Sequence, residues 1–293
     1  MIVRSLIPPS APGSTMEDIV TAHMNYSRLD SNESNVRIRL NSTAVDVQHL
    51  GDPTRAKEIQ VTYVRDGKAY KVRGSACVLA CYNMIIPKLC PQLPQPQKTA
   101  LATSVKTLLF YANAQLRRWT SPQKLGVAMM YCPGSYFSEV YMDFPVSMGA
   151  YHYTRSPDDP VVLHMVRVPC SPGLPARQQR RMGHMELYTT PFETFERNIR
   201  EQLTRMLGPG GFDPQRDLEA ITVNRWPHGY ADFFADMDDP DWPQDQRPNV
   251  VGRQPFGRIS IANSDAATSA QTQAAIDEAY RAVQKVTKAH AGA

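Results

Sequence analysis

Close to its C-terminus the chain has an acidic residue between an apolar strand and a helix. The segment GRISIANSDAATSAQTQAAIDEAYRAV, residues 257–283, places Asn263, Ser264 and Asp265 at the end of the predicted strand. A loop of small residues and a predicted helix follow. Strand, acid and helix in this order typically hold a polar ligand at the end of the strand. The alternative is that Asp265 only caps the start of the helix.

The sequence lacks the common catalytic and metal-binding motifs. It contains no GxSxG, HExxH, Walker or GxGxxG pattern, and GPGG at 208–211 follows a predicted helix, which is typical of a cap and turn. The acids of 236–241 lack the glycine and the final glutamate of a calcium loop. Cys77 and Cys81 lie in ACVLAC, which indicates a buried strand, where four residues span ~13 Å. That separation is too long for two ligands of one ion, so no metal site is predicted.

Composition and charge narrow the class of protein. The chain has 293 residues, with 42% hydrophobic and 20% charged residues, which is typical of a globular protein of one large or two ordinary domains. A net charge of +4 with both signs mixed is too weak to favour a nucleic-acid partner. The basic run Arg177, Arg180 and Arg181 is interpreted as the solvated face of a helix. No apolar stretch approaches a membrane span, and the first residues do not look like a signal peptide.

Apolar periodicity predicts strands first, helices next, and a strand with a helix at the end. A strand is expected at 36–47, then a hairpin joined by Asp66 and Gly67, and then a buried strand, ACVLAC, covered on both faces. Residues 86–96 are expected to be irregular and 97–105 helical. The further predictions are strands from 106, at 125–131, 138–144, 161–168 and 218–226, helices at 176–188 and from Pro191 with Thr190 as N-cap, and an acidic loop at 232–249. This mixed order predicts an α+β domain inserted into a ligand-binding domain.

The C-terminal segment resembles the FAD-binding end of the flavin-containing amine oxidase superfamily. There a strand ends in a small-small-acid triplet, and a helix opens with Gly-Ala-Val or Gly-Ala-Ile. Asn263-Ser264-Asp265 and Ala274-Ala275-Ile276 match these positions, and an Arg-Ala pair follows at 281–282. The resemblance implies that Asn263, Ser264 and Asp265 bind FAD, with Asp265 accepting hydrogen bonds from ribityl hydroxyls. It also implies that the backbone at Ala275 and Ile276 stabilises negative charge on the reduced flavin.

Three further segments resemble the same superfamily. VNRWPHGYA, residues 223–231, matches a segment beside the flavin and implies that Trp226 and Tyr230 line a cage for the amine; the alternative is a core tryptophan. Lys106 matches a lysine that holds a water near flavin N5, or else is a surface lysine. LNSTAV, residues 40–45, implies that the backbone of Val45 meets the adenine.

The resemblance is strongest to spermidine dehydrogenase-like FAD-dependent oxidoreductases, over about residues 3–286. The segments CVLACYNMIIPKLCPQLP, GGFDPQRD, ITVNRWPHGYA and GRISIANSDAA carry it. It implies a mixed α+β and α/β fold: a partial, Rossmann-like FAD-binding domain of the amine oxidase type with an inserted substrate domain of mixed sheet and helices. The expected ranges are 1–85 for the adenosine-side strands, 86–217 for the substrate domain and 218–293 for the C-terminal FAD-binding segment.

The function implied by the resemblance is the oxidation of an amine, such as a polyamine, by hydride transfer to FAD. Lys106, Trp226 and Tyr230 are the expected catalytic residues, and the acids of 232–241 are expected to attract a polyamine. The family's glycine-rich dinucleotide-binding unit is missing here, so an N-terminal half is the expected partner, and any targeting signal would lie there. A cytoplasmic location is expected. The alternatives are a non-catalytic remnant or partner subunit of the same fold, and another flavoenzyme, such as a carotenoid desaturase relative, with an apolar substrate.

Overall fold

The structure of the protein is a computed structural model that describes residues 1–143, 145–231, 233–234 and 239–291, of which 288–291 are described by their backbone only. Its α-helices are α1 (Ile2–Leu6), α2 (Ile86–Leu89), α3 (Gln95–Leu101), α4 (Thr120–Leu125), α5 (Ala176–Thr189), α6 (Phe192–Leu207), α7 (Pro214–Asp217), α8 (Pro248–Gly252), α9 (Ser264–Ala267) and α10 (Thr272–Ala291). Its strands are β1 (Thr43–His49), β2 (Ile59–Arg65), β3 (Lys68–Gly74), β4 (Cys77–Leu79), β5 (Thr107–Leu116), β6 (Met129–Tyr131), β7 (Glu139–Met142), β8 (Val161–Arg167), β9 (Leu218–Tyr230) and β10 (Ile259–Ile261). No helix within the described ranges is both long and apolar enough to cross a membrane.

The chain forms two compact units that alternate along the sequence. The first unit comprises Met1–Leu40, Phe110–Val168 and Thr189–Arg225, and the second comprises Asn41–Leu109, Pro169–Tyr188 and Trp226–Ala293. Most of the segments that resemble the cofactor-binding end of the superfamily fall in the second unit. The three functional ranges expected from the sequence, 1–85, 86–217 and 218–293, stay a prediction.

A five-stranded sheet and helix α6 build the first unit. The strand order is β6-β7-β8-β5-β9, and β5 pairs antiparallel with β8 from Phe110 to Leu116. Helix α6 buries Phe195, Ile199 and Leu203, which recur at the spacing of one helix face. The Phe195 ring lies 4.7 Å from the ring of Phe110 between centroids. This packing of one helix face on one sheet face supplies the core of the unit.

The second unit contains a small parallel sheet that positions the acid triplet. Strands β4 and β10 pair in parallel, with Ile259 opposite Cys77 and Ile261 opposite Leu79. The core beneath them joins Leu79, Ile259 and Ile261 to Ile59 of the antiparallel sheet β1-β2-β3. Because parallel strands end at the same edge, residues 81–83 and 263–265 leave the sheet side by side.

Local turn chemistry agrees with the structure. The hairpin between β2 and β3 turns at Asp66 and Gly67, which have φ values of 51° and 72°, as a tight hairpin turn requires. The long strand β5, helix α5 and the closing strand and helix are also confirmed.

Several local predictions are wrong. Strand β1 begins only at Thr43, and Ile86–Leu89 is helical because a proline is tolerated in a first helical turn. Helix α6 begins at Phe192, with Pro191 rather than Thr190 at the N-cap, and no side chain caps it. Val78 of β4 is 38% exposed in the chain, so this strand is not covered on both faces.

Candidate active site

Asn263 joins the ends of the two parallel strands. It is the N-cap of α9, and its Oδ1 accepts a hydrogen bond of 2.8 Å from the backbone N–H of Ala266. Its Nδ2 donates to the carbonyl of Cys81 at 2.6 Å and to Oδ1 of Asn83 at 3.0 Å. One amide side chain therefore caps a helix and fixes the segment that follows β4, about 180 residues earlier in the sequence.

Asp265 lies at the centre of this junction and is 2% exposed. Its Oδ2 accepts a hydrogen bond of 2.9 Å from the backbone N–H of Asn83. Its Oδ1 lies 2.9 Å from Nζ of Lys106, the residue immediately before β5, which is 7% exposed. Lys106 and Asp265 were selected from separate segments, and the structure brings them together as a buried ion pair.

Three residues to which the sequence analysis gave no role form a cluster of rings, and His228 of this cluster interacts electrostatically with both members of the pair. The Tyr82 ring stacks on the His228 ring, with centroids 4.2 Å apart and planes 26° apart. The His184 ring meets His228 edge-on at 5.4 Å, and Nε2 of His184 donates to the carbonyl of Pro227 at 2.6 Å. His228 lies within the segment VNRWPHGYA, but the resemblance of that segment implied roles only for Trp226 and Tyr230, so His228 was not singled out.

The electrostatics of His228 follow from these neighbours. Burial lowers the pKa of His228 from its ordinary value of 6.5, and the charges of His184 and Lys106 lower this pKa further, while Asp265 acts in the opposite direction. His228 is therefore a neutral imidazole at pH 7.

Helix α5 presents basic residues to the same region. Nη1 of Arg180 donates to the carbonyl of Val105 at 3.0 Å, beside Lys106. Arg177 lies 3.5 Å from the carboxylate of Asp239. The interpretation of Arg177, Arg180 and Arg181 as one solvated face is thus wrong for Arg180. Its partly buried guanidinium donates to a backbone carbonyl of another segment of the chain instead of facing only water.

A small cleft of about 40 Å³ opens beside Asp265. Hydroxyls of Thr103, Ser104 and Thr268 line it together with Asp265. Phe233, Phe234, Trp242, Arg177 and Asp239 also contribute to its lining. The cleft thus combines hydroxyls, two carboxylates, a cation and aromatic rings.

The residues at Asp265 fit the hydroxyl-rich part of FAD by their chemistry. Asp265 Oδ1 is buried and accepts no hydrogen bond of good geometry from the described residues, although Lys106 Nζ lies 2.9 Å away. A carboxylate oxygen has two lone pairs, so this atom retains capacity to accept a hydroxyl hydrogen. An unmet buried acceptor is costly for folding, and a hydroxyl-bearing ligand would satisfy it.

The two aromatic residues proposed for an amine cage lie on strand β9. Trp226, His228 and Tyr230 alternate along the strand and therefore share one face. Trp226 and Tyr230 are 50% and 46% exposed. Gly229 lies on the opposite face, where a Cβ atom would approach Cδ2 of Leu109 to 2.6 Å. An alanine there would force the side chain of Leu109 to move. The role of Trp226 and Tyr230 in an amine cage stays a prediction.

The remaining predicted cofactor residues are spread over the second unit. Val45 is 45% exposed in β1, beside a register shift, and Ser264 is the first residue of α9. Helix α10 begins at Thr272, two residues before the expected start, so the N–H of Ala275 already donates to the carbonyl of Gln271. Ile276 follows it in the helix and is 59% exposed. The free N–H groups of this helix therefore lie about two residues earlier than expected.

Solved structures of amine oxidases resemble this fold, and two of them illustrate the likeness. A variant of putrescine oxidase from a redesign of cofactor binding matches with a TM-score of 0.54 and 18% identity, over 86% of this chain and 49% of that chain. Cyclohexylamine oxidase from Brevibacterium oxydans IH-35A matches with a TM-score of 0.51 and 11% identity, over 84% and 48% of the two chains. No protein-family model and no curated protein matches the sequence.

These likenesses define the class of fold. The chain has the mixed α/β fold of amine oxidases, which confirms the expected fold class, and it spans about half the length of these two structures. At such low identities the likeness shows the fold alone, so the activity rests on the site.

Proposed function

We propose that the protein is part of an FAD-dependent oxidoreductase that acts on amines. The observation that supports this most directly is the buried pair of Lys106 and Asp265, fixed to the backbone of Asn83 within an amine oxidase fold. It provides a carboxylate, a cation and an acceptor that no described donor satisfies, in one place. Those are the groups that a hydroxyl-rich, redox-active cofactor and its substrate require.

Each residue of the junction has a role in this proposal. Asp265 accepts a hydrogen bond from a ribityl hydroxyl, and Asn263 and Ser264 hold the backbone that presents it. Lys106 forms an ion pair with Asp265 and has donors for a water beside the reacting carbon. Trp226 and Tyr230 bind the amine. FAD, when bound, supplies the acceptor for the hydride that leaves the α-carbon of the amine.

The cleft favours an amine over an apolar substrate. Its lining includes the ring of Trp242, whose face attracts a cation or an alkylamine. The carboxylates of Asp239 and Asp265 also line it, and they are paired with Arg177 and Lys106. We propose a polyamine as the substrate because its several positive charges would be attracted electrostatically by the acidic segment 232–241. Asp232, Asp236 and Asp238 of that segment lie outside the described residues.

We propose a dinucleotide-binding unit as the partner of this chain. The parallel sheet β4-β10 contains two strands of three residues each, whereas parallel sheets are normally larger and covered on both faces. A unit that adds strands to this sheet would also supply the pyrophosphate site, for which the chain has no glycine-rich motif.

The visible spectrum of the purified protein tests the proposal. The protein is incubated with FAD, with and without a co-expressed dinucleotide-binding unit from a related enzyme, and unbound flavin is removed. We expect bound flavin when both parts are present, and bleaching of its visible bands by spermidine in the absence of oxygen. The matched control is Asp265→Asn, which keeps the shape of the side chain and should lose most of the bound flavin. A protein that binds no flavin in either case would be a non-catalytic remnant of the fold.

A further inference from the structure

His228, which interacts electrostatically with Lys106 and Asp265, has an unused hydrogen-bond acceptor. Its Nδ1 is buried and has no hydrogen-bond partner among the described residues. Buried polar atoms are normally paired, so an unpaired one indicates a ligand or a function. The ring cannot easily turn to find a partner, because Tyr82 stacks on one of its faces and the edge of His184 packs against it.

The charged and titratable groups around His228 come from four elements. Lys106 precedes β5, Asp265 lies in α9, His184 lies in α5, and Tyr82 follows β4. Asn83 and Lys106 already engage the two carboxylate oxygens of Asp265. Lys106 faces this carboxylate as a hydrogen-bond donor. Nδ1 of His228 and Oδ1 of Asp265 are the two buried atoms of this cluster without a hydrogen-bond partner among the described residues, and Oδ1 faces Lys106 at 2.9 Å. Nδ1 of His228 is therefore the candidate proton acceptor.

We propose that Nδ1 of His228 removes the proton from the ammonium form of the substrate, an inference that rests on the proposed amine oxidation. One N–H bond of the ammonium breaks, its electron pair stays on the amine nitrogen, and an Nδ1–H bond forms. The neutral imidazole becomes an imidazolium. Only the neutral amine has the lone pair that expels a hydride from the α-carbon, so this step must come before oxidation. His184 and Tyr82 hold the ring in place.

The step gives a characteristic dependence on pH. Because the pKa of His228 lies below 6.5, wild-type kcat/KM should rise through that lower pKa and then stay level up to the pKa of the amine. Without the base, only substrate that is already neutral in solution can react. The ammonium group of the substrate has a pKa of about 10.4, so roughly one molecule in 10³ is neutral near pH 7. General bases typically contribute about 10²–10⁴-fold, which is consistent with this limit.

The test compares anaerobic reduction of bound flavin by spermidine in wild type and His228→Asn between pH 6 and 10. We expect His228→Asn to lose about 10²–10³-fold in kcat/KM near pH 7, with the loss shrinking tenfold per pH unit. The control is His164→Asn, because His164 is also half-buried with a pKa lowered by burial, but its Nδ1 is hydrogen-bonded to Asn113 at 2.7 Å. Its profile should follow wild type.

A second measurement needs no variant and no turnover. tert-Butylamine has no hydrogen on its α-carbon and cannot be oxidised, so it reports binding alone. We expect it to shift the ¹⁵N resonance of His228 Nδ1 towards the protonated position at pH 7. An unmoved resonance, or a loss in His228→Asn that is equal at every pH, would overturn the role of His228 while the proposed function stands. Flavin that no amine reduces, even in wild type, would overturn both.

Discussion

Removing Lys106 should destabilise the protein strongly, because it leaves a buried carboxylate without its counter-ion. The two side chains are 9% and 1% exposed, and their charged atoms are 2.9 Å apart. Replacing Lys106 by methionine keeps the aliphatic length and removes only the charge. Asp265 would then retain the single hydrogen bond from Asn83. Breaking a buried pair in this way costs about 3–5 kcal/mol, which is a large part of the stability of a typical domain.

A double-mutant cycle separates the pair from its surroundings. Asp265→Asn leaves the ammonium of Lys106 buried and should cost a similar amount, about 3–5 kcal/mol. The double variant Lys106→Met with Asp265→Asn buries no charge at this place. Its loss should therefore be smaller than either single loss, because neutral groups are much cheaper to bury than ions. The coupling energy of the cycle should be at least about 3 kcal/mol.

Urea unfolding followed by tryptophan fluorescence measures these free energies. The control cycle uses Arg117 and Glu219, an exposed pair of 2.5 Å with side chains 61% and 41% exposed. Exposed pairs contribute about 0.2–1 kcal/mol, so this cycle should give little coupling. If Lys106→Met changes the unfolding free energy by less than about 0.5 kcal/mol, or if the two single losses add, the argument from burial is wrong.

Three further predictions concern the surroundings of the pair. Asn263→Ala removes the cap of α9 and the hydrogen bonds to the segment after β4. It should lower the free energy of unfolding by about 2 kcal/mol and weaken FAD binding. Asn263→Asp can still cap the helix, so thermal unfolding should show a smaller loss of stability for this variant. Gly229→Ala should destabilise by about 1–3 kcal/mol because its Cβ would meet Leu109, and Leu109→Ala in the same chain should restore part of the loss in urea unfolding. Burial raises the pKa of Cys77 to about 11. Iodoacetamide at pH 8 should therefore label the exposed Cys170 first, as measured by peptide mass spectrometry. Equal labelling of the two cysteines would contradict the effect of burial on Cys77.

Features encoded by neighbouring residues could be predicted from the sequence. The Asp66-Gly67 turn is one example, because its two backbone angles depend on those residues alone. The apolar strand before Asn263 and the helix after it are another. The order of such elements predicted an α+β domain inserted into a ligand-binding domain, whereas the amine oxidase type of the fold was implied by the resemblance of particular segments. Element ends were less certain, and Pro191 rather than Thr190 occupies the N-cap of α6.

Contacts between distant segments could not be predicted in the same way. The carboxylate of Asp265 and the backbone N–H of Asn83 are 182 residues apart, and only the parallel pairing of β4 and β10 brings them together. Arg180 looked like part of a solvated helix face because its target is the carbonyl of Val105, an atom that no sequence pattern marks. His228 stands alone in a strand, and its function depends on rings that approach from two other elements.

The double use of Asp265 makes stability and cofactor binding separable. Lys106 forms an ion pair with the carboxylate of Asp265, while Oδ1 of Asp265 remains available to accept a hydrogen bond from a hydroxyl of the proposed cofactor. Lys106→Met should therefore weaken folding but retain flavin, because the carboxylate remains and a bound cofactor stabilises the folded state. Asp265→Asn should weaken both folding and flavin binding. The substitution removes the negative charge and replaces one of the two acceptor oxygens by an NH₂ group, which donates hydrogen bonds. Equal loss of flavin in the two variants would mean that the junction holds the cofactor only through the integrity of the fold.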